Sequence, residues 1–414
     1  MENTNPPHHH GLAILTFIMC LFASILLLGL AGALSIFGLT VLADEDYELA
    51  AALLALAAST LFTAFLLAPG AYLSYKRMNG AEQTGQQAKR PWLLWSVPGM
   101  GILWPLSLAA GNWAASNLEW GWSILPIANL LAASLPIAVL TAFALNHIRV
   151  GPPWRAWSIF GIGMTVGPFL LIITEAMLIA LVFVLFLLYV GVTPGMPAAI
   201  QQFAEQLQSA PDEEHLLRLV TPIWTSPLTL LITLLVMAIG TPIVEELLKP
   251  IGVWLFADHI SSPDEGFALG ILSGAGYALF ETLGLSTQVG LNWAGLMIAR
   301  SGAGLLHILT SGLTSWALVS AWRERRYWRL AGVFTLSVSL HATWNMIIVL
   351  SAFGIITKNL QDSSASLPIM TEASTYYALG IHAGVMLLLL GLANRQLAAA
   401  QAQGPGDEPE ANRV

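Results

Sequence analysis

Ten stretches of this chain are apolar for long enough to cross a bilayer, and hydrocarbon leaves such segments few ways to fold. They run at about 11–37, 49–74, 92–110, 124–145, 158–191, 228–257, 266–285, 294–320, 330–353 and 376–393. A spanning helix needs about 20 predominantly apolar residues. In lipid, a backbone that bonds to itself avoids stranding its amides and carbonyls. With 56% hydrophobic and 10% charged residues over 414 positions, the expected fold is all-α, a polytopic transmembrane helix bundle of about ten spanning helices. Gly167-Pro168 is expected to bend the fifth span and Gly240-Thr241-Pro242 the sixth, because proline removes a backbone donor and clashes with the turn before it.

Composition also narrows the partners. Net charge is -8, but it averages loops on two sides of a membrane and says little by itself. Basic stripes suited to nucleic acid are absent, so the partners expected are membrane lipids and a membrane-bound protein substrate. The single cysteine, Cys20, lies in the first apolar run and excludes both a disulfide framework and a cysteine-based metal site. Residues 1–10 lack a basic leader and the following run is too long for a signal core, so it reads as a retained first span.

Short loops set the orientation. Lys76, Arg77, Lys89, Arg90, Arg149, Arg155, Arg323, Arg325, Arg326, Arg329 and Arg395 all fall on one side of a ten-span chain. The intervening loops carry Asp44-Glu45-Asp46, Glu119 and Asp212-Glu213-Glu214. The positive-inside rule makes the basic side cytoplasmic, with both termini there. Three regions are expected: 1–227, the N-terminal spans with an outer amphipathic segment at 192–227; 228–353, a catalytic-type core; and 354–414, a last span with a disordered cytoplasmic tail.

The second half carries ionisable residues near the middles of its apolar runs. They are Glu245-Glu246-Leu247-Leu248-Lys249, Glu281, His307, and His341 with Asn345. A charge at bilayer depth costs about 2.5–3.5 kcal/mol even on lenient scales. Counting residues at about 1.5 Å each puts Glu245, Glu281, His307 and His341 roughly 16–22 Å from an edge of a membrane about 30 Å thick. One shared depth on alternating helices predicts a single polar chamber, with Glu245, His307 and His341 converging and Glu281 and Asn345 adjacent. Lys249 lies three and four residues from the two glutamates and reaches either, so one carboxylate is assigned to chemistry and the other to an ion pair with Lys249. Gly266, Gly270 and Gly274 form a small-residue stripe suited to close helix packing. Arg300, seven residues before His307, reads equally as a structural pair or a contact to a substrate carboxylate, and Glu175 has no obvious sequence-level partner.

Carboxylate and imidazole at one level suit two chemistries. Two histidines and a carboxylate hold Zn²⁺ with a fourth position for water, while a further glutamate takes the proton. Alternatively, glutamate and histidine activate water without a metal. His-Glu-x-x-His, Gly-x-Ser-x-Gly and a pair of intramembrane aspartates are all absent. A proton- or ion-coupled transporter is the rival from another class, since it also uses midplane carboxylates and broken helices; no inverted repeat of the Gly240–Pro242 break is present. A non-catalytic binding or scaffold protein is a third reading.

Glu245-Glu246-x-x-Lys249, the run Gly274-Ala275-Gly276-Tyr277-Ala278-Leu279-Phe280-Glu281, His307, and His341-x-x-x-Asn345 resemble, in order, the motifs of PrsW-type intramembrane proteases. These are distant relatives of the CAAX- and bacteriocin-processing membrane proteases. The likeness covers roughly residues 240–350. It implies an intramembrane metalloprotease of a bacterial cell membrane acting on membrane-bound substrates. Glu245 would activate water and Glu246 would pair with Lys249. His307 and His341, with Glu281 as a further candidate ligand, would bind zinc or the attacking water, and Asn345 would hydrogen-bond the water or oxyanion.

Overall fold

Backbone groups in hydrocarbon have no water to bond, and the chain meets this with helix alone. In the computed structural model, which describes residues 8–81, 91–285, 292–359 and 370–402, no strand occurs among the described residues. The first helices are α1 (His8–Ala43), α2 (Tyr47–Met78), α3 (Pro91–Ser116), α4 (Leu118–Gly121), α5 (Leu125–Ala144) and α6 (Pro153–Met164). Next come α7 (Val166–Val192), α8 (Met196–Gln208), α9 (Glu213–Trp224) and α10 (Pro227–Thr233). A π-helical turn at Leu234–Gly240 leads into α11 (Thr241–Leu248) and α12 (Ile251–Leu255). The long helices α13 (Pro263–Leu285), α14 (Trp293–Glu324), α15 (Tyr327–Asn359) and α16 (Glu372–Ala402) close the chain.

Among the described residues, nine helices are long and apolar enough to cross a membrane. The remaining expected span, 92–110, lies within α3. The protein is an all-α, multi-pass integral membrane protein. Lys89, Arg90 and residues 403–414 of the expected tail lie outside the described residues, whereas α16 continues through 396–402.

The regular helix is interrupted next to both prolines. The fifth span breaks at Thr165 (φ -124°, ψ -70°), one turn before Pro168, whose ring has no amide for the Met164 carbonyl. The sixth widens into the π turn, where the Thr241 amide bonds back five residues to the Val236 carbonyl. Polar side chains cap other starts: Asp46 accepts from the Leu49 amide at 3.1 Å, Asp212 from His215 at 2.8 Å and Ser226 from Thr229 at 3.1 Å.

The chain divides into two compact units, residues 1–168 with 248–337 and 383–414, and residues 169–247 with 338–382. In the first, α13 and α14 lie against each other and against α5, with α6 on the other side of α13. Trp154, Ile159, Val253, Phe256, Leu269 and Leu318 form one core cluster, and Leu125, Ala132, Leu283, Trp293 and Met297 another. Arg155, buried, joins α6 to the start of α13 by donating to the Glu265 carboxylate and the His259 carbonyl. In the second unit Leu230 and Leu234 pack with Val349, Leu350 and Phe353. The segment expected to be amphipathic forms α8 and α9, both largely exposed.

The glycine stripe sets the register of α13 on α14. A Cβ at Gly274 would strike the His307 carbonyl, one at Gly270 the Ser311 carbonyl and Ser315, and one at Gly266 Ser315 and Val319. Each four-residue step back along α13 is matched by four residues forward along α14, so the pair is antiparallel and in backbone contact. Gly270→Ala should therefore lower the thermal midpoint in detergent, in line with an overpacking cost of about 1–3 kcal/mol. Gly332→Ala, in open space on α15, should leave the midpoint unchanged or raise it slightly. Equal effects at the two positions would contradict the contact.

Candidate active site

The second unit places four of the sequence-predicted residues together. Glu245 and Glu246 lie in α11, 6% and 0% exposed, and His341 in α15 is 2% exposed. His341 Nδ1 is 2.8 Å from Glu246 Oε1, and its Nε2 is 3.8 Å from Glu245 Oε2. A neutral imidazole carries one N–H and one lone pair. The short contact to a carboxylate puts an N–H on Nδ1, donating to Glu246, and Nε2 faces Glu245. Neighbouring glutamates diverge by about 100° around a helix, yet both reach this ring because its nitrogens sit on different edges.

Asn345, one turn beyond His341, donates from Nδ2 to the Met237 carbonyl at 2.8 Å. The cause lies in the π turn. The amide five residues after Met237 would belong to Pro242, which has none, so that carbonyl lacks its helical partner. The asparagine supplies the missing donor.

The first unit holds the other residues. Carried two turns beyond Gly274 and His307, the glycine register opposes Glu281 with Arg300. Arg300 Nη2 lies 2.8 Å from Glu281 Oε2, and the same oxygen is 2.7 Å from His307 Nε2. His307 is 2% exposed, and Tyr277, one turn before Glu281, stands edge-on to its ring with centroids 4.9 Å apart. Lys249 is 1% exposed; its ammonium lies 5.1 Å from the Tyr277 ring centre, and its carbonyl accepts from the Ser273 hydroxyl at 2.6 Å. Glu175 lies half-buried on α7 in the second unit. Two arrangements were not foreseen from spacing: Glu246 as the acceptor for His341, and Arg300 bound to Glu281.

Residues 151–371 match a family described as PrsW family intramembrane metalloprotease. The match covers just over half of the chain and every site residue above. The chain belongs to the PrsW family. No curated protein and no solved structure gives a match. Membership makes the protein an intramembrane protease, acting on protein substrates in a membrane setting, and nothing in these findings favours a transporter.

The family description names a metal, and the residues fit one. Glu245, His307 and His341 are all buried, and each offers a ligand atom. One carboxylate with two imidazoles is a zinc-type donor set. The 3.8 Å from His341 Nε2 to Glu245 Oε2 is close to the roughly 3.4 Å between ligands held about 2.0–2.1 Å from a tetrahedral ion. A carboxylate on the far nitrogen of a ligating histidine, the place Glu246 would hold if His341 bound a metal, fixes the tautomer in such sites.

Asn345→Ala should strand the Met237 carbonyl and destabilise the protein by about 1–3 kcal/mol. Thr343→Ala, two residues nearer the helix start, removes only a hydroxyl bond to the Ser339 carbonyl and should cost much less. Thermal unfolding of both checks this; matching midpoints would contradict the role as a cap.

Proposed function

We propose that the protein hydrolyses peptide bonds of membrane-bound proteins, using water activated at Glu245 beside His341 and His307. The observation that carries this reading is the pair of contacts on His341. Glu246 holds one nitrogen, and the other is turned towards a second buried carboxylate. Matched depth along the sequence, burial of each donor and the family's description as metalloproteases support bringing His307 from the first unit to the same centre.

A divalent ion, Zn²⁺ for this donor set, would be held by His307, His341 and Glu245, and would make water acidic near neutral pH and polarise the scissile carbonyl. The remaining Glu245 oxygen accepts a proton from the water as its oxygen bonds to the carbonyl carbon. Glu245 then passes that proton to the amide nitrogen as the carbon–nitrogen bond breaks, and the carboxylate is restored. Glu246 keeps His341 in the tautomer whose lone pair faces Glu245. Lys249, buried over Tyr277, provides positive charge for the carboxylates three and four residues before it. Asn345 has a second amide hydrogen for the oxyanion while its first stays on Met237. The protein sits in a bacterial cell membrane with both termini cytoplasmic, a reading supported by the basic residues of the even-numbered loops.

Glu245→Gln keeps the side chain's shape and removes its basicity. It should leave the thermal midpoint near wild type and lower cleavage of a co-reconstituted single-span substrate by at least about 10²-fold. His307→Ala and His341→Ala should lose both turnover and bound zinc. Chelation should abolish cleavage and zinc should restore it. Undiminished cleavage by a well-folded Glu245→Gln protein would refute the mechanism.

A further inference from the structure

Arg300 and Glu281 contribute no donor to the metal set above, yet they bind each other and His307 in a chain running across α13 and α14. Arg300 Nη2 is 2.8 Å from Glu281 Oε2 and 3.4 Å from the Thr282 hydroxyl, and Glu281 Oε2 is 2.7 Å from His307 Nε2. The guanidinium is always charged and only donates, so Glu281 beside it is the acceptor. His307 Nε2 is therefore the ring nitrogen set against an acceptor, which leaves Nδ1 as the lone-pair atom of the neutral ring.

On His341 the assignment is reversed. Glu246 takes the Nδ1 hydrogen there and leaves Nε2 as the lone-pair atom. From these two contacts we infer that Arg300 is a positioning residue acting through Glu281, and that the two histidines offer opposite ring nitrogens, Nδ1 of His307 and Nε2 of His341, to the metal. The inference rests on the metal reading of the preceding subsection, and it gives Glu281 the role of holding a ligand. Nδ1 lies nearer the backbone than Nε2, so a histidine ligating through it needs its helix brought closer to the ion.

The tautomers are read first on the metal-free protein, by two-bond ¹⁵N–¹H correlation of ¹⁵N-histidine-labelled samples, with His307→Gln and His341→Gln assigning the signals. The expected result is an Nε2–H imidazole for His307 and an Nδ1–H imidazole for His341. Arg300→Met should turn the His307 signal into a tautomer mixture and weaken zinc binding roughly 10–100-fold in chelator competition. Arg300→Lys should restore most of both. Glu281→Gln, whose amide donates as well as accepts, should also mix the tautomers, and serves if Arg300→Met does not fold. In the ¹¹³Cd-loaded protein, coupling should run to Nδ1 of His307 and Nε2 of His341. An Nδ1–H His307 in the metal-free wild type would overturn the inference, as would unchanged tautomer and affinity in a folded Arg300→Met protein. An Nε2–H His307 in a protein that binds neither zinc nor cadmium would uphold the arm from Arg300 and overturn the metal reading instead.

Discussion

The register of α13 against α14 is the constraint on which the first unit's chemistry depends. Lipid is as apolar as leucine, so no hydrophobic force drives two helices together in a bilayer, and close contact requires small residues. Gly266, Gly270 and Gly274 let the α13 backbone rest on the carbonyls and serines of α14. A slip of one turn, about 5.4 Å, would bring Ala278 or Ser262 into the stripe and set a Cβ where only a glycine fits. With the slip excluded, the positions two turns further on are determined. Glu281 meets Arg300 and His307 because three glycines meet His307, Ser311 and Ser315. The stripe therefore does more than tighten a bundle, for it places an ion pair and a histidine with no contact of its own to either charged group.

Both histidines are held by one physical device. A buried imidazole N–H without an acceptor loses the full cost of desolvation, and a buried carboxylate without donors loses more. Pairing them lowers both penalties and favours one tautomer of each ring. Glu246 does this for His341, and Glu281, backed by Arg300, does it for His307. Polar groups that would destabilise a membrane helix singly become in pairs a means of fixing which ring nitrogen carries a lone pair.

Much of this was legible in the sequence, and the limits were physical. Spans were visible because length and hydropathy alone decide them, and the glycine stripe because its period is that of a helix. The bends were marked by Pro168 and Pro242. What proline could not announce was the form taken, a clean break at Thr165 in one span and a π turn in the other, since both satisfy the same missing amide. Matched depth grouped Glu245, Glu281, His307 and His341, but their partners depend on registers between distant helices. Glu246 and His341 are 95 residues apart. No local rule said which of two adjacent glutamates would meet the ring, or that Arg300 would face Glu281 rather than a substrate.

The spacing within each short motif has its explanation in the same contacts. Adjacent residues on a helix point about 100° apart, which suits Glu245 and Glu246 because they address two edges of one imidazole rather than one point. Residues four apart share a face, which suits His341 and Asn345 because both must reach the same broken helix. The ring meets α11, and the amide meets the π turn that precedes it. The turn exists because Pro242 lies three residues before Glu245, and the proline's missing amide is what Asn345 repairs. Glu245 is thus aimed by a defect in its own helix, and that defect is stabilised from the helix that carries His341. Loss of Asn345 should accordingly disturb the aim of Glu245 as well as any bond to the oxyanion. Activity of an Asn345 variant can be assigned to chemistry only after its stability has been compared with that of the parent.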